Sequence, residues 1–344
     1  MDMHDVLSAI MTDGEQGMLA TIVCVEGHSY RKAGAAMLFR QSGEQVGTVS
    51  PGCLEHDLFE RAATVAASGQ FEFIDYNLNS EEDVIWGEAV GCGGKIRLLV
   101  EPVTGRLFSV LMEAKEKNEA GKPVKLIRSW DEQAMRYELL DEEETELESS
   151  CAEGDETNYL SISIKPKPRL VLFGAGKDAE AIYSLVKSLG FHIVAADWRP
   201  SLCTKERFPE AQCVIGSPGQ IAEQIGLRAS DYLIVCSHHL QQDKEMIRLA
   251  LPLQLVYIGI MGSKKRIRML FETFLIPSNV RAPIGLSIGA DGPLEIAVSV
   301  AAELIAIRAG NKTAPRREMV RNGYFGPLFS SRSKQADGDE ETGT

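Results

Sequence analysis

The C-terminal part of the chain alternates short apolar runs with stretches of helical spacing. The apolar runs predict strands at 169–173, 191–196, 212–215, 231–236 and 255–259. Because helical patterns separate most of these strands, we expect a parallel sheet with helices on both faces. The pattern therefore predicts an α/β architecture with a Rossmann-like, doubly wound parallel sheet over residues 168–312.

The N-terminal part has a more mixed pattern of helices and strands. It predicts helices at 6–11 and 54–67, and strands at 18–25, 35–39, 45–49, 71–76 and 95–100. Elements that do not alternate regularly are typical of an α+β domain. We place this domain at residues 1–130.

A strongly acidic segment lies between these two parts. Residues 131–156 contain twelve acidic side chains and one arginine, so they carry −11 of the formal net charge of −13. Such segments are typical of solvated linkers, with a docking surface for a basic partner as the alternative. We predict an acidic linker or loop at 131–167 and a disordered polar tail at 330–344.

Composition limits the classes of protein to which the chain can belong. Its 344 residues are 44% hydrophobic and 25% charged, and no apolar run reaches the roughly 18 residues of a membrane span. The seven cysteines form no C-x-x-C pair, and no basic stripe with interleaved aromatic residues occurs. The acidic N-terminus lacks the cationic start of a signal peptide. We therefore expect a cytoplasmic globular protein that binds neither membrane nor nucleic acid.

The turn after the first C-terminal strand has the form of a phosphate-binding loop. Gly174 allows a tight turn, Gly176 lets backbone N–H groups approach a pyrophosphate, and Ala179 permits close packing of the next helix. Asp197 ends the following strand, where an acidic side chain can bind ribose hydroxyls. NAD(P) is therefore a candidate ligand, although a fold alone does not determine its ligand.

Two cysteines lie in glycine-rich loops of the N-terminal part. Cys53 precedes a predicted helix, whose N-terminus favours a thiolate, and Cys92 lies among glycines that let a bulky ligand approach. Either thiol can act as nucleophile, sulfur carrier or metal ligand; the alternative is a cysteine that merely packs. Arg31, in the same part, is a candidate anion contact or a solvated loop side chain.

Further polar residues follow the later strands of the C-terminal part, where ligands bind in doubly wound sheets. His238 and His239 follow the fourth strand, and either bind a ligand or cap the next helix. Gly262, Ser263 and Lys264 follow the fifth strand and lead into a helix that begins with three cations. Because cations at a helix N-terminus are unfavourable without an anion, this loop is a second candidate phosphate site.

Six motifs occur together along the chain. They are Ser-Tyr-Arg at 29–31, Ser-Pro-Gly-Cys-Leu-Glu at 50–55, Gly-Cys-Gly-Gly at 91–94, Phe-Gly-Ala-Gly at 173–176, Tyr-Ile-Gly-Ile-Met-Gly-Ser-Lys at 257–264 and Pro-Ile-Gly-Leu-Ser-Ile-Gly-Ala at 283–290. In these motifs and in their order the chain resembles the XdhC/CoxI family, and in particular its Gram-positive branch of purine-catabolism proteins.

The resemblance implies a function in the service of molybdenum hydroxylases such as xanthine dehydrogenase. A protein of this family is expected to bind the molybdenum cofactor (molybdopterin), to protect it while a terminal sulfido ligand is installed, and to insert it into the apoenzyme. The implied partners are a xanthine dehydrogenase-type apoenzyme and a cysteine desulfurase. The chain would then serve as a recruiting subunit or accessory protein, and it would not be catalytic alone.

The resemblance and the residue chemistry together give one set of candidate cofactor contacts. The set comprises Arg31, Cys53, Cys92, Gly174, Gly176, Lys177, Asp197, Arg199, Ser263 and Lys264. Within it, Cys53 and Cys92 are candidate contacts to molybdenum or to a sulfur atom in transfer. Lys177 stands where the family has a histidine, so it can strengthen an anion contact but removes an acid/base group.

Two alternatives to a cofactor chaperone remain open from the sequence. An NAD(P)-dependent oxidoreductase would use Asp197 for the ribose but would leave the loops of Cys53 and Cys92 without a role. A stable structural component of the dehydrogenase complex would instead copurify with the catalytic subunits in fixed stoichiometry. We also predict a homodimer, in which an amphipathic final helix buries one face against its copy.

Overall fold

The structure is a computed structural model that describes residues 2–10, 17–77, 94–131, 134–142, 159–272 and 276–310. The chain divides into two compact units, Met1–Lys167 and Pro168–Thr344. Within the described ranges, no helix is both long and apolar enough to cross a membrane. Cys92 and the predicted tail at 330–344 lie outside the described residues.

The first unit consists of two antiparallel sheets and three helices among its described residues. In chain order its elements are α1 (Asp2–Ile10), β1 (Met18–Gly27), β2 (Ala36–Phe39), β3 (Gln45–Gly47), α2 (Glu55–Ser68), β4 (Glu72–Asn77), β5 (Gly94–Pro102), α3 (Gly105–Glu119), β6 (Val124–Trp130), β7 (Met135–Asp141) and β8 (Tyr159–Ile164). One sheet has the strand order β3-β2-β1-β5-β4, and the other has the order β7-β6-β8. The predicted α+β class of this part is confirmed.

Strand β1 is almost continuously apolar from Met18 to Val25, and β5 is apolar from Leu98 to Val100, because both faces of the five-stranded sheet are covered there. Leu98 and Val100 of β5 pack on one face with residues of α2. Leu99, between them, packs on the other face with residues of α1, α3 and the three-stranded sheet. Successive side chains of a strand point to opposite faces, so a strand buried on both sides loses the alternation of polar and apolar residues.

Part of the predicted acidic linker is wrong, because β7 and β8 both lie within residues 131–167. In β7 the partly buried Met135, Tyr137 and Leu139 alternate with the exposed Arg136 and Glu138. This is the two-residue period of a strand with one solvated face. The net charge of the segment hid this period, because the charged residues occupy the exposed positions. Residues 143–158 lie outside the described residues.

The second unit contains one six-stranded parallel sheet with helices on both faces. Its elements are β9 (Arg169–Phe173), α4 (Lys177–Val186), β10 (His192–Asp197), β11 (Gln212–Ile215), α5 (Pro218–Ile225), β12 (Tyr232–Val235), α6 (Leu240–Ala250), β13 (Tyr257–Ile260), α7 (Lys264–Leu270), β14 (Val280–Arg281) and α8 (Gly292–Arg308). The strand order is β11-β10-β9-β12-β13-β14, and every neighbouring pair is parallel. The predicted Rossmann-like sheet is confirmed.

The order of the strands fixes where a ligand can bind in this sheet. From β9 the chain builds outward through β10 to β11, and then returns to place β12 on the other side of β9. The carboxyl ends of β9 and β12 therefore lie at a topological switch point, where connections diverge and leave a crevice.

The last described helix, α8, differs from its prediction. Apolar residues occupy its buried side, with Val300 and Leu304, and also its exposed side, with Leu294, Val298 and Ile305. The helix is therefore not amphipathic. The homodimer stays a prediction, but an amphipathic final helix no longer supports it.

A charged cluster lies inside the core of the first unit. The guanidinium Nε of Arg128 donates to Glu101 Oε1 at 2.7 Å, and the hydroxyl of Tyr137 donates to Glu101 Oε2 at 2.8 Å. Arg128 and Glu101 are completely buried. Burial and the adjacent carboxylate raise the pKa of Tyr137 well above its usual value. The cluster joins β5 of one sheet to β6 and β7 of the other.

We expect Glu101→Gln to destabilise the first unit by about 3–5 kcal/mol, because it leaves the buried charge of Arg128 without a counterion. The matched control is Asp75→Asn, which removes an exposed carboxylate bonded to Arg97 at 2.7 and 2.8 Å. An exposed pair contributes at most about 1 kcal/mol. Urea unfolding followed by tryptophan fluorescence measures both effects. Equal losses in the two variants would contradict the prediction.

Candidate functional site

The turn after β9 lies at the switch point and requires glycine. Gly174 has φ +107°, and its N–H donates to the carbonyl of Ala196 at 2.8 Å. A Cβ on Gly174 would lie 2.3 Å from the backbone N and Cα of Ser237, which follows β12. No side chain fits in that distance, so glycine allows the loops after β9 and β12 to approach each other.

The first turn of α4 is open in a way that suits an anion. Gly176 precedes the helix, no side chain caps its N-terminus, and a Cβ on Gly176 would meet nothing within 4 Å. By contrast α5, α6 and α7 are capped by the side chains of Ser217, His239 and Ser263. The first N–H groups of a helix have no partner within the helix and attract anions. Lys177, the first helical residue, is exposed beside them.

Asp197 holds this turn in place from within the protein. Its buried carboxylate accepts the Ala175 N–H at 2.7 Å, the Arg199 N–H at 2.8 Å, and two guanidinium bonds from Arg199 at 2.9 and 2.8 Å. Burial alone would raise the pKa of Asp197, but the bonds from Arg199 and Ala175 outweigh it and lower that pKa. The predicted contact of Asp197 with a ribose would require this carboxylate to give up one of these donors.

Arg199 lies beside the turn with 38% of its side chain exposed. Its guanidinium stacks over the ring of Trp198 at 4.4 Å from the centroid. The Trp198 ring in turn meets His239 edge-on, with centroids 5.5 Å apart. The sequence predicted that Arg199 meets a ligand; the structure shows that its guanidinium is first a partner of Asp197. A planar cation held in one orientation can still present its outer edge to a phosphate.

The acidic residues in the first turn of α4 have cationic or titratable partners. Asp178 lies 2.7 Å from His238 Nε2, and Glu180 accepts from the guanidinium of Arg207 at 2.5 Å. Arg207 also donates to the carbonyl of Ala175 at 2.8 Å. His238 has φ +61°, a left-handed conformation that is uncommon outside glycine. Both acidic side chains of the first turn therefore have a partner within the protein.

One buried residue that supports the loop after β12, Asp243, is not among the residues that the sequence predicts for the site. Asp243 is buried, accepts the hydroxyl of Ser237, and accepts the Arg266 guanidinium at 2.6 Å. Arg266 is one of the three cations that predict a phosphate site after Gly262, and its charge pairs with Asp243 inside the protein. This ion pair between α6 and α7 is buried at Asp243 and partly exposed at Arg266, and it carries no sequence pattern because its partners are 23 positions apart.

The second candidate phosphate loop stays a prediction. Ser263 caps α7 by accepting the Arg266 N–H at 3.3 Å, and Lys264 is exposed at the first helical position. The serine oxygen is therefore already used by the helix that it begins.

In the first unit, Cys53 is half-buried just before α2, in a loop fixed by a carboxylate. Glu55, the first residue of α2, accepts the Ser50 N–H at 3.0 Å, the Leu54 N–H at 3.2 Å and the Ser50 hydroxyl. The Glu55 carboxylate thus already supplies the negative charge that a helix N-terminus favours. The attraction of the helix N-terminus for a negative charge therefore no longer supports the prediction of a thiolate at Cys53.

The structure groups the predicted site residues by unit. Gly174, Gly176, Lys177, Asp197 and Arg199 come together around one turn of the second unit. Arg31 and Cys53 belong to the first unit, and Arg31 is half-buried in the loop after β1. Across the described ranges, no group of three or more His, Cys, Asp or Glu side chains is placed to hold a metal ion.

Comparison with known proteins matches both units to one family. The family model of the XdhC Rossmann domain matches residues 170–304, and the model of the XdhC and CoxI family matches residues 10–77.

Three relatives extend this likeness over most of the chain. A protein of Bacillus subtilis, described as a probable subunit of xanthine dehydrogenase, is 36% identical over 89% of this chain and 97% of its own length. The molybdenum cofactor insertion chaperone PaoD of Escherichia coli is 25% identical over 88% of this chain and 86% of its own. A crystal structure of a xanthine dehydrogenase from Bacillus halodurans, 34% identical, superimposes with a TM-score of 0.82 and covers 91% of this chain and 97% of its own.

We expect Asp197→Asn to destabilise the second unit by about 2 kcal/mol, because hydrogen bonds from the Arg199 guanidinium lose their charged acceptor. The pKa of Asp197 is lowered in the folded protein. The stability that its carboxylate contributes is therefore present above the ordinary value of 3.8, and it is lost as the pH falls through the folded-state pKa. The difference between the two proteins should therefore shrink in acid. Unfolding midpoints measured from neutral pH downward test this.

The control for this experiment is Glu210→Gln, which removes an exposed carboxylate 3.4 Å from Lys187 in the same unit. Its effect should be small at every pH. A difference between Asp197→Asn and the unmodified protein that grows in acid would refute the assigned role.

Proposed function

Because the chain belongs to the XdhC/CoxI family, we propose that it is an accessory protein that binds the molybdenum cofactor and inserts it into a xanthine dehydrogenase-type molybdenum hydroxylase. Two relatives support different parts of this proposal. One is named as part of a xanthine dehydrogenase, and the other is named as a molybdenum cofactor insertion chaperone. Both are similar to this chain over nearly its whole length.

The observation that carries the proposal is the uncapped N-terminus of α4 at the switch point. The cofactor is the cargo of such a protein, and molybdopterin ends in a phosphate. The open space at Gly176, the first N–H groups of α4 and the exposed ammonium of Lys177 form a set of donors for that phosphate. Arg199 adds a second cation, because its hydrogen bond to Asp197 holds the guanidinium beside the same loop.

The same geometry favours a phosphate over the ribose of a nicotinamide cofactor. In a dinucleotide site the acid after the second strand is available to the ribose hydroxyls. Here that acid is Asp197, whose oxygens already accept four hydrogen bonds from Ala175 and Arg199. We therefore place NAD(P) second and propose that Asp197 positions the phosphate turn.

The thiols belong to a separate part of the proposal. Soft thiolates suit a molybdenum centre or a sulfur atom in transfer, so Cys53 and Cys92 are proposed to act at the metal end of the cofactor. Installation of that sulfur would make a cysteine desulfurase a further partner. Arg31, from the same unit as Cys53, is proposed as an additional anion contact.

We expect Lys177→Gln to weaken the binding of molybdenum cofactor about tenfold, the effect of losing roughly 1.4 kcal/mol of charge-assisted contact. The control is Lys187→Gln, which removes a cation from the far end of the same helical segment, where it pairs with Glu210. Equilibrium binding, with the pterin quantified by fluorescence after oxidation, measures both variants. Inorganic phosphate should compete with the cofactor in the unmodified protein.

The same titration is run in parallel with NAD(H) and NADP(H). Stoichiometric pterin binding that falls in Lys177→Gln and is unaffected in Lys187→Gln supports the proposal. Binding of a nicotinamide cofactor without any pterin would overturn it and leave the oxidoreductase alternative.

We expect a protein with both Cys53→Ala and Cys92→Ala to retain the cofactor through its phosphate but to lose most of its ability to activate the apoenzyme. The control is Cys24→Ala, another half-buried thiol of the first unit. Reconstitution of xanthine oxidation by added apoenzyme is the measurement. Undiminished activation by the double variant would remove the thiols from the mechanism and leave cofactor binding intact.

A further inference from the structure

Two cysteines of the second unit, neither among the predicted site residues, lie close together at the end of its sheet. Cys213 belongs to the edge strand β11, and Cys203 to the long loop between β10 and β11. Both side chains pack on the face of the sheet that α4 and α8 cover. They are ten positions apart, and the intervening loop returns the chain from β10 to its neighbour.

The contacts of Cys203 place its sulfur directly over the pair of strands β10 and β11. Cys203 Sγ donates to the carbonyl of Ala195 at 3.1 Å and lies 3.6 Å from the carbonyl oxygen of Val214. Ala195 is the register partner of Cys213, and Val214 is its chain neighbour. The sulfur of Cys203 therefore lies against the register partner and the chain neighbour of Cys213, on the face of the sheet where Cys213 also packs.

The two thiols differ in accessibility. Cys203 is 3% exposed, whereas Cys213 is partly exposed. Burial, together with the neighbouring Cys213, raises the pKa of Cys203 to about 11. Because the thiolate is the reactive form, a reagent from solution should meet Cys213 first, and Cys203 should react only with a sulfur already beside it.

We propose that Cys203 and Cys213 form a redox modification site that a low-molecular-weight disulfide converts into an intramolecular disulfide bond. The thiolate of Cys213 attacks one sulfur of the reagent, breaks its S–S bond and releases one thiol. Cys203 then loses its proton, attacks the sulfur of Cys213 and displaces the second thiol. The two protein thiols are oxidised, and one molecule of reagent is reduced to two thiols.

The bond would constrain a loop that supports the phosphate turn. Arg207, between the two cysteines, donates to the carbonyls of Ala175 and Leu202 at 2.8 and 2.6 Å and also binds Glu180. A disulfide at the two ends of this loop limits its opening, and with it the release of Arg207 from the turn. These contacts are the same whatever molecule the second unit binds.

Glutathione disulfide, applied to the purified full-length protein, is the probe. After free thiols are alkylated under denaturing conditions, peptide mass spectrometry should find Cys203 joined to Cys213, with the mass of two hydrogens lost. Trypsin should also cut more slowly at Lys205 and Arg207 in the oxidised protein, and a dithiol reductant should restore the original rate.

Variants separate the two steps. In Cys203→Ser, the exchange should stop with glutathione attached to Cys213; in Cys213→Ser, Cys203 should stay unmodified. The control variant is Cys24→Ser, which changes a half-buried cysteine of the first unit. It should still form the disulfide bond between Cys203 and Cys213. The mapping of the unmodified protein needs no variant, so poor folding of Cys203→Ser does not remove the test.

Two results would overturn the proposal. One is the accumulation of glutathione on Cys213 in the unmodified protein without release of the second thiol. The other is the persistence of both cysteines as free thiols while other cysteines of the chain react.

Discussion

The buried carboxylate of Asp197 is the interaction on which the turn after β9 in the second unit depends. It draws together the N–H of Ala175 and the guanidinium of Arg199, two groups that come from different connections of the sheet. A buried charge is stable only when hydrogen bonds replace the water that it loses, and four such bonds surround this one. The shape of the turn after β9 and the direction of Arg199 follow from that requirement.

Close approach of the backbone completes the same edge. The ends of β9 and β12 meet at Gly174, where any side chain would collide with Ser237. The side-chain caps on α5, α6 and α7 satisfy their helix termini internally, whereas α4 begins without one. The missing cap leaves the first N–H groups of α4 open at the switch point. Helix α8 also begins without a side-chain cap, but it follows the edge strand β14.

The first unit is organised differently, around polar groups buried between two sheets. Arg128 and Glu101 join the sheets through a paired charge, and most of the remaining contacts between them are apolar. Around Cys53 the carboxylate of Glu55 takes the position of the anion at a helix start.

Local sequence patterns were enough to establish the class of both units, most of their strands and the glycine turn, because these depend on the period of apolar residues and on glycine. They did not reveal the three-stranded sheet of β6, β7 and β8, in which charge hides the alternation of β7. They also did not reveal β14, which is too short to show a period. The partners of Asp197, Arg266 and Cys203 became known only from the folded chain. Each of these contacts joins residues brought together by folding, and a hydrogen bond between residues that are not neighbours in the chain leaves no periodic signal in the sequence.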